Sequence, residues 1–183
     1  MKVIDKYLQN ARIRKAKKYI RNNDTVLDIG SANGIMFEKW RGFIKYGVGI
    51  DPILPAMIET DLYTLLPGYF PGTCPDGITY DVITMLAVLE HIPTAIQATL
   101  AERCFSLLNK NGRIIITVPS PRVDYILNIL KRLKLIEGMS LEEHYGFKPK
   151  NTRQIFSDKY FKLLVKQKFQ FGLNNLFVFK KID

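Results

Sequence analysis

Cysteine is almost missing from this 183-residue chain: Cys74 and Cys104 stand apart, with no second pair. Two such residues make neither a disulfide framework nor a zinc signature. Histidine is as scarce, so any imidazole chemistry has only His91 and His144 to draw on. No apolar run approaches the roughly 18 residues that a membrane-crossing helix needs. The longest candidate, Val82 to Leu89, is strand-sized and contains Thr84. Near the amino terminus charged and apolar residues alternate, so no secretory signal is expected there. These absences together predict a reduced, soluble, cytoplasmic protein without a metal site.

What is present is a core and an uneven charge. Hydrophobic residues make up 47% of the chain, which excludes global disorder and suits one domain spanning 1–183. Acids are outnumbered, 17 to 27, for a net charge of +10. Residues 1–22 carry eight bases against Asp5, and residues 148–183 carry nine against Asp158 and Asp183. The body between them is slightly acidic. Basic ends of this kind either attract nucleic acid, anionic lipid or an anionic substrate, or are simply solvated faces.

Val3, Ile4, Tyr7, Leu8 and Ala11, then Ile13, Ala16, Tyr19 and Ile20, recur at helical spacing, so residues 1–22 read as an extra basic amphipathic helix. Thr25 to Ile29 is a short apolar run that suits a buried parallel strand. A helix over Gly34 to Trp40, a strand over Ile44 to Ile50 and an extended piece over Ala56 to Glu59 follow, then a loop rich in proline and glycine. Thr79 to Met85 and Arg113 to Val118 read as strands flanking a helix from Pro93 to Leu108. Residues 122–136 form a basic amphipathic pattern, readable as a lid, a weak membrane-surface contact or core packing. Asn151-Thr152 can start a helix reaching Leu164, and Val165 to Phe171 and Leu176 to Phe179 have hairpin spacing. Alternating strands and helices imply a mainly parallel sheet, whose ligands bind beyond the carboxyl ends of the strands.

The loop after the first strand is the sharpest feature: Asp28-Ile29-Gly30-Ser31-Ala32-Asn33-Gly34. Gly30 lets the chain turn sharply out of the strand, and Ala32 and Gly34 keep large side chains away from the main chain. Asp28 is placed to accept from a cationic amine. Asp51, at the end of the second strand, is placed to take two ribose hydroxyls. A dinucleotide would want G-x-G-x-x-G facing a pyrophosphate. The G-x-A-x-G found here, with an acid before the first glycine, suits a ligand bearing an ammonium group instead.

With these residues stand Tyr46-Gly47-Val48-Gly49-Ile50-Asp51, the run from Tyr80 to Ile92 ending in Leu89-Glu90-His91, and the run from Leu107 to Pro119. In order and spacing the four segments resemble the successive motifs of class I S-adenosylmethionine-dependent methyltransferases, and more narrowly the small-molecule branch with an LEH strand end. The resemblance implies a Rossmann-like three-layer α/β sandwich, its seven-stranded, mostly parallel sheet ending in an antiparallel hairpin. It implies S-adenosylmethionine as cofactor, with Asp28, Gly30, Ser31, Ala32 and Gly34 around the methionine moiety. Asp51 and Pro52 fall on the ribose side, Asp61 and Leu62 beside the adenine, and Met85 and Leu86 against the methionine portion. Ala32 departs from the pattern, which usually has glycine there.

Methyl transfer is mainly a matter of alignment and water exclusion. A general base is needed only if the acceptor must lose a proton. His144 and His91 are the candidates, although His91 equally suits a structural hydrogen bond. Glu90 and Tyr145 fall on the acceptor side, within or beside a substrate or lid region over 120–150. The expected acceptor is a small molecule methylated at oxygen or nitrogen, such as a sugar or an anionic biosynthetic intermediate. An RNA-modifying enzyme, a nicotinamide-dependent reductase and a non-catalytic cofactor-binding scaffold are the competing readings.

Overall fold

A computed structural model of the chain describes residues 3–75, 77–120 and 147–183. The elements run α1 (Val3–Lys17), β1 (Thr25–Ile29), α2 (Ile35–Lys39), β2 (Tyr46–Asp51), β3 (Ile58–Glu59), β4 (Tyr63–Pro67) and β5 (Tyr80–Leu86). A 3₁₀ turn at Leu89–His91 leads into α3 (Thr94–Leu107), β6 (Leu108–Pro119), α4 (Asn151–Ile155), β7 (Phe161–Phe169) and β8 (Asn174–Lys181). The strands form one sheet in the order β3-β4-β2-β1-β5-β6-β8-β7. β4, β2, β1, β5 and β6 pair in parallel, while β8 and β7 close one side antiparallel. This is the expected Rossmann-like α/β arrangement with its terminal hairpin.

Among the described residues the sheet holds eight strands rather than seven. The third parallel position belongs to Tyr63–Pro67, which the sequence pattern leaves unassigned, and its register sets Gly47 against Tyr63 and Asp51 against Pro67. The extended piece before it shrinks to Ile58–Glu59, an antiparallel edge on β4. β4 is short, with only Tyr63 and Leu65 buried, and its last residue is a proline. A two-sided apolar signal is therefore absent. The helix expected to reach Leu164 stops at Ile155, and 161–169 is an edge strand instead.

Burial on both sides explains the unbroken apolar strands of the centre. Leu27, Ile29, Ile83, Ile114 and Ile116 face α3 and the aromatic group Phe156, Phe161, Phe177 and Phe179. Val26, Val82, Ile115 and Val178 face the other way, against Ile13 and Ala16 of α1 and Met36, Phe37 and Trp40 around α2. Each fully buried Phe contributes about 2–3 kcal/mol. Three layers result, with the chain leaving every parallel strand toward a single carboxyl rim. Asp28, Gly49, Asp51 and Thr84 share the face that carries α1 and α2, because strand residues alternate sides. That alternation brings polar groups from three strands together at the rim.

Candidate functional site

The main chain builds the site first. Gly30 N–H donates to the Ile50 carbonyl at 2.8 Å, which hooks the loop after β1 onto β2. Gly30 adopts φ +81°, and a Cβ there would collide with the side chain of Val88, just past β5. The missing side chain therefore lets the loops after β1 and β5 close on each other. Gly34, at φ +74°, starts α2, and a Cβ on it would press on the Tyr63 ring and Leu65. The bareness of Gly34 therefore lets the start of α2 pack against β4.

Ala32 sits at φ +46°, a left-handed conformation in which a glycine would be relaxed. Its N–H donates to Asp51 Oδ2 at 2.7 Å, while Ile53 N–H donates to Asp51 Oδ1 at 3.0 Å. The buried Asp51 carboxylate thus clamps the first loop to the second. Each of its oxygens keeps a lone pair for a further donor. Pro52 follows it, exposed. Asp28 lies deeper, 4% exposed, and accepts from Thr84 Oγ1 at 2.6 Å. Burial pushes its carboxyl up to about 7, against the lowering effect of the Thr84 hydroxyl and with help from the charge of Asp51. Ser31 Oγ is buried without a hydrogen-bond partner among the described residues, in the space that a side chain on Gly49 would occupy.

A cationic group brought to Asp28 restores its charge, and a diol brought to Asp51 finds two acceptor oxygens. The residues present therefore fit a ligand that carries both. Met85 ends the buried part of β5, and Leu86 is half-buried beside it. Ala87, at φ +63°, donates its N–H to Thr117 O and turns the chain into the 3₁₀ turn. Glu90 is buried in that turn and His91 is half-buried. The described structure therefore gathers Asp28, Gly30, Ser31, Ala32, Gly34, Asp51, Pro52, Met85, Leu86, Glu90 and His91 at one rim.

Asp61 and Leu62 do not join them. They precede Tyr63, and the parallel register puts them at the amino end of the sheet, where the Leu62 carbonyl accepts from Gly47 N–H. Asp61 is an exposed partner of Arg41 at 2.7 Å, within an ion cluster that includes Glu38. Leu62 is core. The residues that do stand beside Asp51 at the end of β4 are Pro67 and Gly68, whose N–H donates to the Asp51 carbonyl. His144, Tyr145 and the pattern over 122–136 lie outside the described residues.

Sequence reasoning also missed Arg12, Thr84 and Asn174. Arg12 Nε donates to Asn174 Oδ1 at 3.3 Å, joining the first helix to the terminal hairpin. Burial lowers its pKa, while the charges of Glu90 and then Asp5 oppose that. In the sequence Arg12 is one base among eight, and only the folded chain singles it out. Thr84 interrupts an apolar strand, the one signal that could have marked it.

A family model described as "Methyltransferase domain" matches residues 3–175. A ubiquinone biosynthesis O-methyltransferase from Paraburkholderia phytofirmans is 32% identical over 97 residues, 48% of this chain and 41% of that protein. The chain therefore matches less than half the length of that relative. The fold is similar to that of the PH0226 protein from Pyrococcus horikoshii OT3, with TM-score 0.72 and 15% identity over 95% of this chain and 92% of the other. It is also similar to N-methyltransferase NodS from Bradyrhizobium japonicum WM9, solved in complex with S-adenosyl-L-homocysteine. There the TM-score is 0.66 and the identity 14%, over 100% of this chain and 89% of the other.

Proposed function

Since the chain belongs to the methyltransferase-domain family, whose cofactor is S-adenosylmethionine, we propose that it methylates a small molecule, at oxygen or nitrogen, as a single domain spanning 1–183. The observation that carries this reading is the pair of buried carboxylates, Asp28 and Asp51, on either side of a loop with left-handed backbone at Gly30, Ala32 and Gly34. Oxygen is favoured as the acceptor atom because the ubiquinone relative is named an O-methyltransferase.

When bound, S-adenosylmethionine supplies an electrophilic methyl group on a sulfonium, a very good leaving group. The chain's residues then have positioning work to do. Asp28 would hold the ammonium and Asp51 the ribose hydroxyls, with Pro52 beside them. Gly30, Ser31, Ala32 and Gly34 would present the loop backbone to the methionine portion, with Met85 and Leu86 opposite. On the adenine side, exposed Ile53 and the turn at Pro67-Gly68 take the place first given to Asp61 and Leu62. Glu90 would orient the acceptor. His91 is the described candidate for moving a proton from the acceptor, and His144, with Tyr145 beside it, is the other. Holding two reactants in line contributes several orders of magnitude without any base.

A thermal-shift panel of nucleotide cofactors tests the pocket. S-adenosylhomocysteine is expected to raise Tm and NAD to leave it unchanged, and the double variant Asp28→Asn/Asp51→Asn is expected to abolish the shift. An acceptor screen with labelled donor then reads the activity. Cofactor binding without turnover on any acceptor would replace the enzyme reading with a scaffold, and a shift from NAD alone would overturn the pocket.

A further inference from the structure

The fold brings the two basic ends of the sequence together. α1 lies beside the β7–β8 hairpin, leaving a groove of about 370 Å³ between them. Tyr7, Arg14, Lys15 and Lys18 line one bank at the spacing of a single helical stripe, and Phe169 and Phe171 line the other. Among the described residues no acid lines it and no carboxylate pairs with Arg14, Lys15 or Lys18. Lys15 Nζ sits 6.0 Å from the centre of the Phe169 ring. The lysines along edge strand β7 have an ordinary explanation, since charge protects an open edge from pairing. The helix cations have none of that kind.

The hairpin tip adds a second, independent observation. Gln170 and Phe171 both take left-handed backbone, φ +50° and +56°, before Gly172. Asparagine or glycine would occupy such positions at less cost. Yet this turn carries a phenylalanine that is fully exposed, and Tyr7 across the groove is 61% exposed. Two aromatic rings are thus held in water beside a stripe of cations that meets no carboxylate among the described residues.

We propose that this face, built from α1 and the β7–β8 tip, docks on an anionic phospholipid surface. Aromatic rings settle at the headgroup level of a bilayer, and each base near an anionic leaflet raises partitioning about fivefold. A single-stranded nucleic acid fits less well, because such sites follow roughly four or more nucleotides along an extended groove, and this concavity is short. No described helix is long and apolar enough to cross a membrane, and the contact proposed is a peripheral one. The tip lies beside Pro119, at the same rim as the candidate site. If the methyl-transfer reading holds, on which this consequence rests, a docked bilayer presents an apolar acceptor level with that site.

Vesicle co-sedimentation of the full chain tests the surface without turnover or cofactor, so its failure and that of the methyl-transfer reading are separable. The chain is expected to sediment with vesicles about one third phosphatidylglycerol and not with phosphatidylcholine alone, and to be released by high salt. Arg14→Glu/Lys15→Glu/Lys18→Glu is expected to weaken binding about 100-fold or more, with unchanged S-adenosylhomocysteine thermal shift. Phe171→Ser, at a tip with no packing to lose, is expected to weaken it about tenfold at unchanged Tm. This second variant decides the matter if the triple reversal fails to fold. Equal binding to both vesicles, insensitivity to both variants, or salt-sensitive capture of a single-stranded oligonucleotide in preference to vesicles would overturn the proposal.

Discussion

Asp81 and Asp28 sit on neighbouring strands at opposite rims of the sheet, and their surroundings push them in opposite directions. Asp81 accepts from the Thr25 N–H, the Thr25 hydroxyl and the Asn109 amide. Burial raises its pKa, but those three donors together outweigh it, and the net shift is downward. Among the described residues Asp28 has only the Thr84 hydroxyl set against a stronger burial effect, and its carboxyl rises to about 7. The backbone repeats the contrast. Apart from glycines, the left-handed residues at the amino rim are Asn23 and Asn111, which tolerate that conformation, whereas the carboxyl rim spends it on Ala32, Ala87, Gln170 and Phe171. One rim is arranged for its own stability. The other leaves interactions incomplete, as a site that must receive a ligand does.

The largest expected effect strikes where the carboxyl rim is most tightly built. Gly30→Ala forces a methyl group into Val88 at a left-handed φ, a combined cost of about 3–5 kcal/mol. Adding Val88→Ala removes the colliding methyls and should recover about half of it, leaving the backbone strain. Denaturant unfolding of the two single variants and the double variant reads this as a coupling energy. Additive costs would mean that the two loops do not depend on each other.

Exchanging acid for neutral at each rim comes next. Asp81→Ala orphans three donors and should cost about 2–3 kcal/mol in stability, with S-adenosylhomocysteine affinity unchanged. Asp28→Asn should do the reverse, raising Tm at pH 8 and weakening the ligand at least tenfold. The signs follow from linkage. Because the folded Asp28 carboxyl is raised from 3.8 to about 7, its contribution to stability falls as pH climbs through that window and is level above it. A cationic ligand favours the ionised form, so affinity should climb over the same window by up to tenfold per pH unit. For Asp81 the folded pKa is lowered, so its stabilisation is full above the ordinary carboxylate range and fades as pH falls through the folded value. Calorimetric titration from pH 5.5 to 8 showing the same ligand slope in wild type and Asp28→Asn would sink the contrast.

The sequence carried the carboxyl rim well and its far side poorly. Asp28, Gly30 and Asp51 were legible because a turn glycine between a strand and a helix, with acids at two strand ends, has few other uses. Tyr63–Pro67 was not, because a five-residue strand buried on alternate positions and closed by proline sends the same signal as a loop approach. That loss moved Asp61 to the wrong rim, since its place depends on which neighbouring segment is the strand. Arg12 was invisible for another reason. Its partners Asn174 and Glu90 lie far away in the chain, and nothing in a helical stripe says which base will be covered. Pairings of that range exist only once the sheet order is known.

The smallest predicted effect tests whether the strain at the carboxyl rim is cost or function. Ala32 stands where glycine would be relaxed, at φ +46°, yet its N–H is the group that Asp51 grips at 2.7 Å. In Ala32→Gly the native loop loses about 1 kcal/mol of strain, while the unfolded chain gains about 0.4–1 kcal/mol of freedom. The two nearly cancel, so Tm should move by only a few degrees in either direction. Ligand affinity is the more telling readout. If the alanine merely tolerates its position, affinity stays level, because the Asp51 clamp needs only the N–H. If the methyl group holds the loop in its binding shape, the glycine variant binds several-fold more weakly at unchanged Tm, and the rim's strain is then part of how it receives its ligand.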